Sequence, residues 1–452
     1  MQSLNLLSDP LRPLILRIAL PSMAAMIASS LGALLDALLL GRANAQFSAA
    51  VSVSFPLLTL IQTLGFTLGM GAGSFVSRCI GSGDKPAAYR AASTAFFSAL
   101  ALSGALCIAG LCFAPALVQA LGASGGAAAP AAAYARYVLS SAPLLCMGLV
   151  LSSLLRAQGH TVPNMLAFCA GAALGIPLQL LLVPRLGIHG AGIAMLAREA
   201  VTLLMLCVFT LRIKLLIRPR LRAVSLRADA WRDIMRSGLP TLLRQGLMSV
   251  SSVLLTRTAA RYGEAALAGI GLSVRVLSLI SAAVIGFGQG FQPVCGAAFG
   301  AGQMDRVSQA YRFCMRAVVI ALALTGAALF FLVRPLLALF SPGEGVLGAA
   351  QSALRAQSVV LFAQGAVVMM NMLTQAMGLT VRASLVATSR QGFVFIPLVV
   401  ILPRVFGFPG LILCQSVSDL VSLALCLPIT RGAIRGCACA RGGCSDARPG
   451  FR

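Results

Sequence analysis

The amino-acid sequence predicts an all-α polytopic membrane protein, with twelve transmembrane helices in two six-helix bundles related by a pseudo-two-fold axis along the membrane normal. Three observations predict it. Of 452 residues, 59% are hydrophobic and only 10% charged, whereas a soluble domain carries about 25% charged residues. Twelve apolar runs follow one another along the chain, each close to the roughly 20 residues, at about 1.5 Å rise apiece, that a bilayer core requires. Segments of the first half recur 219 residues later.

Taken in order, the runs fall at residues 14–40, 47–72, 93–117, 134–155, 163–184 and 190–211, then at 234–256, 266–293, 313–333, 353–377, 384–403 and 408–430. The first carries Pro21, which lacks a backbone donor and favours a kink. It also carries Asp36, a carboxylate whose burial at the centre of a membrane helix costs roughly 2.5–3.5 kcal/mol. The run is too long for a signal peptide and has no small-residue cleavage site, so it is expected to stay in the protein. The second run ends in Gly69-Met70-Gly71-Ala72-Gly73, and the eighth carries Gly286-Phe287-Gly288-Gln289-Gly290 at a closely corresponding place. A dinucleotide-binding turn follows a strand inside a βαβ unit; these glycines lie in apolar runs, where close helix packing or a hinge explains them better.

The repeat converts the list of runs into an architecture. Ile15 to Pro21 reads against Ile234 to Pro240, Leu155 to Val162 against Thr374 to Val381, and Pro184-Arg185 against Pro403-Arg404, all at an offset of 219. Glu199 meets Asp419 at 220, and Gly81 to Arg90 meets Gly300 to Arg312 after a three-residue insertion. Six spans return the chain to its starting side, so the copies share one orientation, which is a transporter plan. The expected organisation is a first lobe over 1–211, a basic cytoplasmic linker over 212–233, a second lobe over 234–430 and a disordered cytoplasmic tail over 431–452.

The net charge of +24 would suggest nucleic acid only if it formed a basic face on a soluble module. With a cytoplasmic N-terminus, 24 of the 35 Lys and Arg fall in inside segments, Arg156 and Arg390 among them, 8 at outside ends and 3 (Arg198, Arg244, Arg275) within spans. That bias places both termini of this multi-pass protein in the cytoplasm, and the membrane expected is the bacterial inner membrane. Thirteen cysteines are mostly scattered singly along the apolar runs, where Cys acts as a small hydrophobe. Cys437, Cys439 and Cys444 in the tail lack the fourth ligand of a zinc site. There is no GxSxG elbow, HExxH helix or P-loop, and His160 and His189 stand at loop edges, so neither an enzyme nor a metal or cofactor is expected.

Of eleven acidic residues, Asp36, Glu199 and Asp419 alone lie within the runs. Asp36 stands six residues, about 9 Å of helix, before Arg42, which puts it in the outer half of the membrane. Its counterpart at the 219 offset is Leu255, so the first copy alone carries a titratable group in its opening span, as a cation or proton site built on one lobe would show; the alternative is a hydrogen bond to a neighbouring helix. Glu199 and Asp419 suit contacts that hold the fold as well as they suit transport. Arg198 is adjacent to Glu199 but about 100° around the helix, so their pairing does not follow from sequence. Gln245, Gln289, Gln292, Asn371 and Gln415 add polar groups that line a cavity or join helices.

Several of these stretches resemble one family. Leu20 to Arg42, Ser77 to Asp84, Leu155 to Gly159 and above all Gly286 to Gly302 (GFGQGFQPVCGAAFGAG) are similar to the multidrug and toxic compound extrusion (MATE) family, nearest its DinF-like prokaryotic branch, over roughly residues 14–430. The resemblance implies two lobes around a central cleft and export of bulky, often cationic or amphipathic compounds in exchange for H⁺ or Na⁺. It implies that Asp36 is the coupling residue and Pro21 a point of bending. Members of this branch often carry an Asn and an Asp in span five; Gly175 and Gln179 stand there, which favours a single-carboxylate H⁺ site and makes Gln179 a candidate cavity residue. Met248 stands near an acid found in span seven of some relatives. The expectation is therefore a secondary-active antiporter, monomeric, whose partners are small molecules and membrane lipid. The alternatives are a lipid-linked precursor flippase, whose cationic cavity would have to come from Arg198, Arg244 and Arg275, and a non-transporting scaffold or receptor, against which the six-plus-six repeat argues.

Overall fold

The computed structural model describes residues 5–43, 45–120, 128–213, 215–225, 228–338 and 344–441; the side chains of 33–34, 36–43, 45–53, 120, 344 and 438–441 are outside the described residues. In the first bundle α1 (Leu11–Ala43), α2 (Ala45–Ser82), α3 (Lys85–Cys112), the short α4 (Ala114–Ala120), α5 (Ala128–Ala157), α6 (Thr161–Leu186) and α7 (Ile188–Arg212) follow in order. In the second come α8 (Ala228–Ala260), α9 (Glu264–Gly300), α10 (Met304–Ala338), α11 (Glu344–Val359), α12 (Leu361–Ala376), α13 (Thr380–Thr388), α14 (Phe395–Phe406) and α15 (Phe408–Arg441). Among the described residues, ten helical segments are long and apolar enough to cross a membrane, with α13 and α14 forming one of them, and α11 with α12, bent by 58°, makes an eleventh. The twelfth long helix is α8, which falls short because Arg232, Arg236, Arg244, Gln245 and Arg257 interrupt its apolar surface.

The duplication is visible in backbone geometry. Gly83 and Gly302 take φ of 79° and 80°, Gly159 and Gly378 take 82° and 74°, and Gly187 and Gly407 take 56° and 63°, the left-handed region that costs any residue with a Cβ. The turn Leu155-O to His160-N has its twin in Thr374-O to Leu379-N, at 2.9 and 3.1 Å. Each bundle therefore reverses direction at matching places with matching hydrogen bonds.

The linker is ordered by side chains rather than by secondary structure. Gln158 both donates to the Ile217 carbonyl and accepts from the Ile217 amide at 2.9 Å. Tyr89 donates to the Leu216 carbonyl at 2.7 Å, and Ser93 accepts from the Arg220 amide at 2.9 Å. Buried Ile217 anchors the strap on the first bundle. Residues 431–441, expected to belong to a disordered tail, continue α15, because Ala433 is fully buried and Ile434 and Cys437 pack on the core that holds Leu6 and Leu14; Cys439 and Cys444 lie outside the described side chains. Arg306 on α10 donates to the carbonyls of Leu6 and Asp9 at 3.2 and 2.6 Å, fastening the N-terminal turn to the second bundle.

The bundles meet along a seam made of small residues. A Cβ on Gly71 would overlap the Ile234 carbonyl, one on Gly238 the Thr67 carbonyl, one on Gly81 the Ala297 carbonyl and one on Gly290 the Ala19 backbone; on Gly286 it would sit 2.7 Å from the Met23 Cα. Such backbone contact allows dispersion and weak Cα–H contacts that larger side chains would prevent. Gly69 and Gly73 instead press on the α5 backbone at Leu149 and Ser153, so the glycine-rich motif of α2 is a packing surface on two sides.

Gly81→Ala should cost ~1–3 kcal/mol through overpacking against a carbonyl that cannot move aside, read as a lowered unfolding midpoint in detergent. Gly104→Ala, with open space around it, should leave the midpoint unchanged or raise it, since Ala is the better helix former. Equal midpoints for the two variants would contradict the seam.

Candidate functional site

The helix that carries the sequence's most conspicuous acid belongs to both bundles at once. Leu14, Ile15, Ile18 and Ala19 of α1 share a core with Phe287, Phe291 and Val294 of α9, and Gly286 meets α1 at Ser22 and Met23. Farther along, Gly32 of α1 lies within 3.5 Å of the Arg198 Nη1 on α7, measured from a Cβ placed there. The changeover falls just after Pro21, through which α1 runs as one unbroken helix. Ser22 donates to the Ile18 carbonyl at 3.0 Å, a bond that keeps the backbone satisfied beside the missing proline donor. Position 36 is one turn beyond Gly32 on the same face of α1; the Asp36 side chain lies outside the described residues.

Around that face the first bundle places a guanidinium. The Arg198 stem crosses Gly175 of α6, its Cβ, Cγ and Cδ 3.1–3.2 Å from where a Gly175 Cβ would stand, so the absence of a side chain at 175 is what admits it. Arg198 Nε bonds Glu199 Oε1 at 3.3 Å, with both side chains partly exposed. This pairing did not follow from sequence spacing; it arises because the two adjacent side chains bend round the helix to meet. Gln179, one turn along α6 from Gly175, is buried.

At the seam two small cavities flank the buried Arg156. Gln289, Gln292, Ser74 and Ser77 line one; Ser22, Ser29, Ser152 and Asn164 line the other. Arg156 donates to Ser152 and, at 2.9 Å, to Ser153. Sequence placed Arg156 among cytoplasmic arginines because it ends a span; it does stand in the last turn of α5, packed against the seam and only 7% exposed rather than reaching solvent. Gln292 donates to Gln375 at 2.9 Å, and Gln375 donates to Thr241 at 2.8 Å. Arg78 of α2 completes the seam, donating to the Ala376 carbonyl at 3.2 Å and to Ser237 at 2.8 Å, where its charge also faces the negative end of α12. Between α5 and α6, His160 is half-buried, and burial pushes its imidazole below the usual range, which keeps it neutral at physiological pH.

The second bundle holds a separate polar centre. Asp419 of α15, fully buried, accepts from Arg390 Nε at 2.5 Å, from Gln415 at 3.3 Å and from Gln357. Arg390 was expected in a cytoplasmic segment; it sits instead in the π-helical turn Ser389–Phe393 between α13 and α14, inside a span. The wider turn is a bulge of the kind found at functional sites. Asn371 is not part of this group: it donates to the Ala383 carbonyl at 3.1 Å and ties α12 to α13. Gln245 is buried on α8.

The sequence profile of the MatE family matches residues 21–181 and 240–401, one match in each bundle. The chain belongs to the MatE family. The multidrug export protein MepA of Staphylococcus aureus is 23% identical over 407 residues, covering 89% of this chain and 90% of MepA. The fold matches the outward-facing conformation of a multidrug resistance MATE family transporter of the MOP superfamily, with a TM-score of 0.91, 25% identity and coverage of 97% of this chain and 99% of that one. A MOP superfamily transporter from Pyrococcus furiosus matches with a TM-score of 0.90, 25% identity and the same coverage. A MatE chain of this fold is a multi-pass membrane protein.

Asp419→Ala would strand the Arg390 charge in a site with no other described carboxylate within reach, so it should cost ~3–5 kcal/mol, seen as a lowered unfolding midpoint. Asp419→Asn combined with Arg390→Gln should recover most of that loss. An Asp419→Ala protein as stable as the native one would contradict the assignment of Asp419 to holding the fold.

Proposed function

We propose that the protein is a secondary-active exporter of bulky amphipathic compounds, cationic ones included, driven by H⁺ entering in exchange. The observation that carries this reading is the straddling helix: α1 packs its first half on the second bundle and its second half on the first. A change of charge at Asp36, on the second half, alters how α1 sits in the first bundle, and the same rigid helix transmits that to the seam. Alternating access needs a linkage of this sort between an ion site and the faces that part. The positive-inside bias assigns the seam end to the cytoplasm, which makes this an outward-open arrangement with both termini inside. The names of the relatives, a multidrug export protein and a multidrug resistance transporter, agree with export.

Two features favour H⁺ over Na⁺ at Asp36. A sodium site needs several oxygen ligands, and position 175, where the DinF-like branch often supplies one, is Gly. The space beside it holds the Arg198 stem, and a guanidinium near a cation site repels a second cation. Proton uptake by a carboxylate requires no such ligand shell. The linker over 212–233 then joins lobes 1–211 and 234–430, and the protein works as a monomer.

Proteoliposomes loaded with a fluorescent cationic dye should release it when a pH gradient is imposed and not when a Na⁺ gradient of equal size replaces it. Asp36→Asn should insert and fold, with an unchanged unfolding midpoint, and lose export. Normal export by that variant would overturn the coupling role.

A further inference from the structure

We infer that the second bundle holds an anion-binding site, built from Arg244 of α8 and Arg390 of the π-helical turn, that takes the carboxylate, sulfonate or phosphate end of an amphipathic substrate. The inference deepens the export reading and rests on it for the meaning of the bound molecule as cargo.

The site is defined by a charge imbalance. Arg390 and Asp419 form a close pair, with Gln415 donating to the same carboxylate oxygen as Arg390 and Gln357 to the other. The charge of Asp419 is therefore already matched by that of Arg390. Arg244 stands close enough to Arg390 for the two guanidinium groups to repel each other, and it lies deep in the protein. Among the described residues no carboxylate comes within ion-pair distance of Arg244. Two neighbouring arginines thus stand against one aspartate, which pairs with Arg390 alone among the described residues. A buried guanidinium without a counter-charge is expensive, and a group of that kind is kept where something charged visits it.

The surroundings are built to present these charges rather than to hide them. Arg244 keeps part of its surface accessible despite its depth, and so does Arg390, whose side chain is 16% exposed while Asp419 is closed off. The π-helical turn is pinned to α8 at two points, Ser251 donating to the Gln391 carbonyl and Leu247 seated against Gly392. Ser418 donates to the Arg390 carbonyl at 2.7 Å, so the backbone that carries this arginine is held from both sides. Met248, one turn from Arg244 on the same face of α8, supplies an apolar, adaptable surface, and buried Gln245 lies beside it. An acid at or near 248 would have neutralised Arg244; the methionine leaves its charge available. An arginine pair with an apolar neighbour matches an amphiphile with an anionic end, since guanidinium groups bind carboxylate and phosphate in a forked geometry.

The test is binding by the full-length protein in phosphatidylcholine nanodiscs, with 11-(dansylamino)undecanoate and its methyl ester as fluorescent probes. A charge-assisted pair should make the acid bind about 10-fold more tightly than the ester. Arg244→Gln should abolish that preference and Arg244→Lys should retain part of it. Adding phosphatidylglycerol to the disc distinguishes the source of the natural ligand: loss of the acid preference identifies a lipid headgroup in the site, and its persistence identifies a diffusible amphiphile. Equal affinity for acid and ester in the native protein, which needs no variant to fold, would overturn the inference, as would an undiminished preference in Arg244→Gln. Failure of the export reading would appear separately, as absent dye release with the acid preference intact.

Discussion

The backbone-to-backbone contact of the two bundles constrains everything else in this molecule. Where Gly71 meets Ile234, Gly81 meets Ala297 and Gly290 meets Ala19, the helices approach as closely as helices can. A contact of that kind is made or broken as a unit, because there are no flexible side chains in it to adjust gradually. Interfaces packed this way are bistable rather than continuously deformable. The polar groups of the seam reinforce the point: Arg78 bonds across it to Ser237 and the Ala376 carbonyl, and Gln292, Gln375 and Thr241 bond to one another on the second-bundle side, with few alternatives in an apolar setting. Opening the seam means giving up the Arg78 bonds together with the backbone contacts and rehydrating the exposed groups, which only a substantial change elsewhere can drive.

The straddling of α1 supplies a route for that change. One helix contributes to two cores, and a helix transmits displacement along its axis with little loss. Its proline lies where the allegiance changes. The two bundles are otherwise near-copies, so function has to come from where they differ. The first has an acid in its opening span with Arg198 and Glu199 nearby on α7. The second has Leu255 at the equivalent position and places its charges on α8, the π-helical turn and α15 instead. The duplicated scaffold thus carries one acidic and one net cationic centre, a polarity suited to molecules with charged and apolar parts.

Much of the fold could be read from sequence because its signals are local. Apolar runs of membrane length and the 219-residue repeat are written in the residues themselves, and the structure adds to the repeat the matched φ values at Gly83 and Gly302. The candidate site was less legible. Arg156 and Arg390 stand near the ends of apolar runs, where an arginine ordinarily reaches water, and only the packing of distant helices around them removes them from it. The partners of Asp419 come from α11, α15 and the turn before α14, a convergence that no spacing rule encodes. The crossing of Arg198 over Gly175 joins α6 and α7 through the absence of a side chain, and an absence leaves no mark on composition. The one available signal was the repeat itself: Glu199 and Asp419 occupy matched positions, and each is found beside an arginine.

In the proposed export cycle the seam has to part. Ser77 and Gly296 face each other across it, with the Ser77 Cβ 3.2 Å from where a Gly296 Cβ would stand, near disulfide geometry. Introducing S77C and G296C together, in a background with the native cysteines replaced, allows the seam to be locked by oxidation and released by a reductant. Dye export from proteoliposomes is the measurement: it should stop on oxidation and return on reduction. Export at the full rate with the disulfide formed would contradict the account.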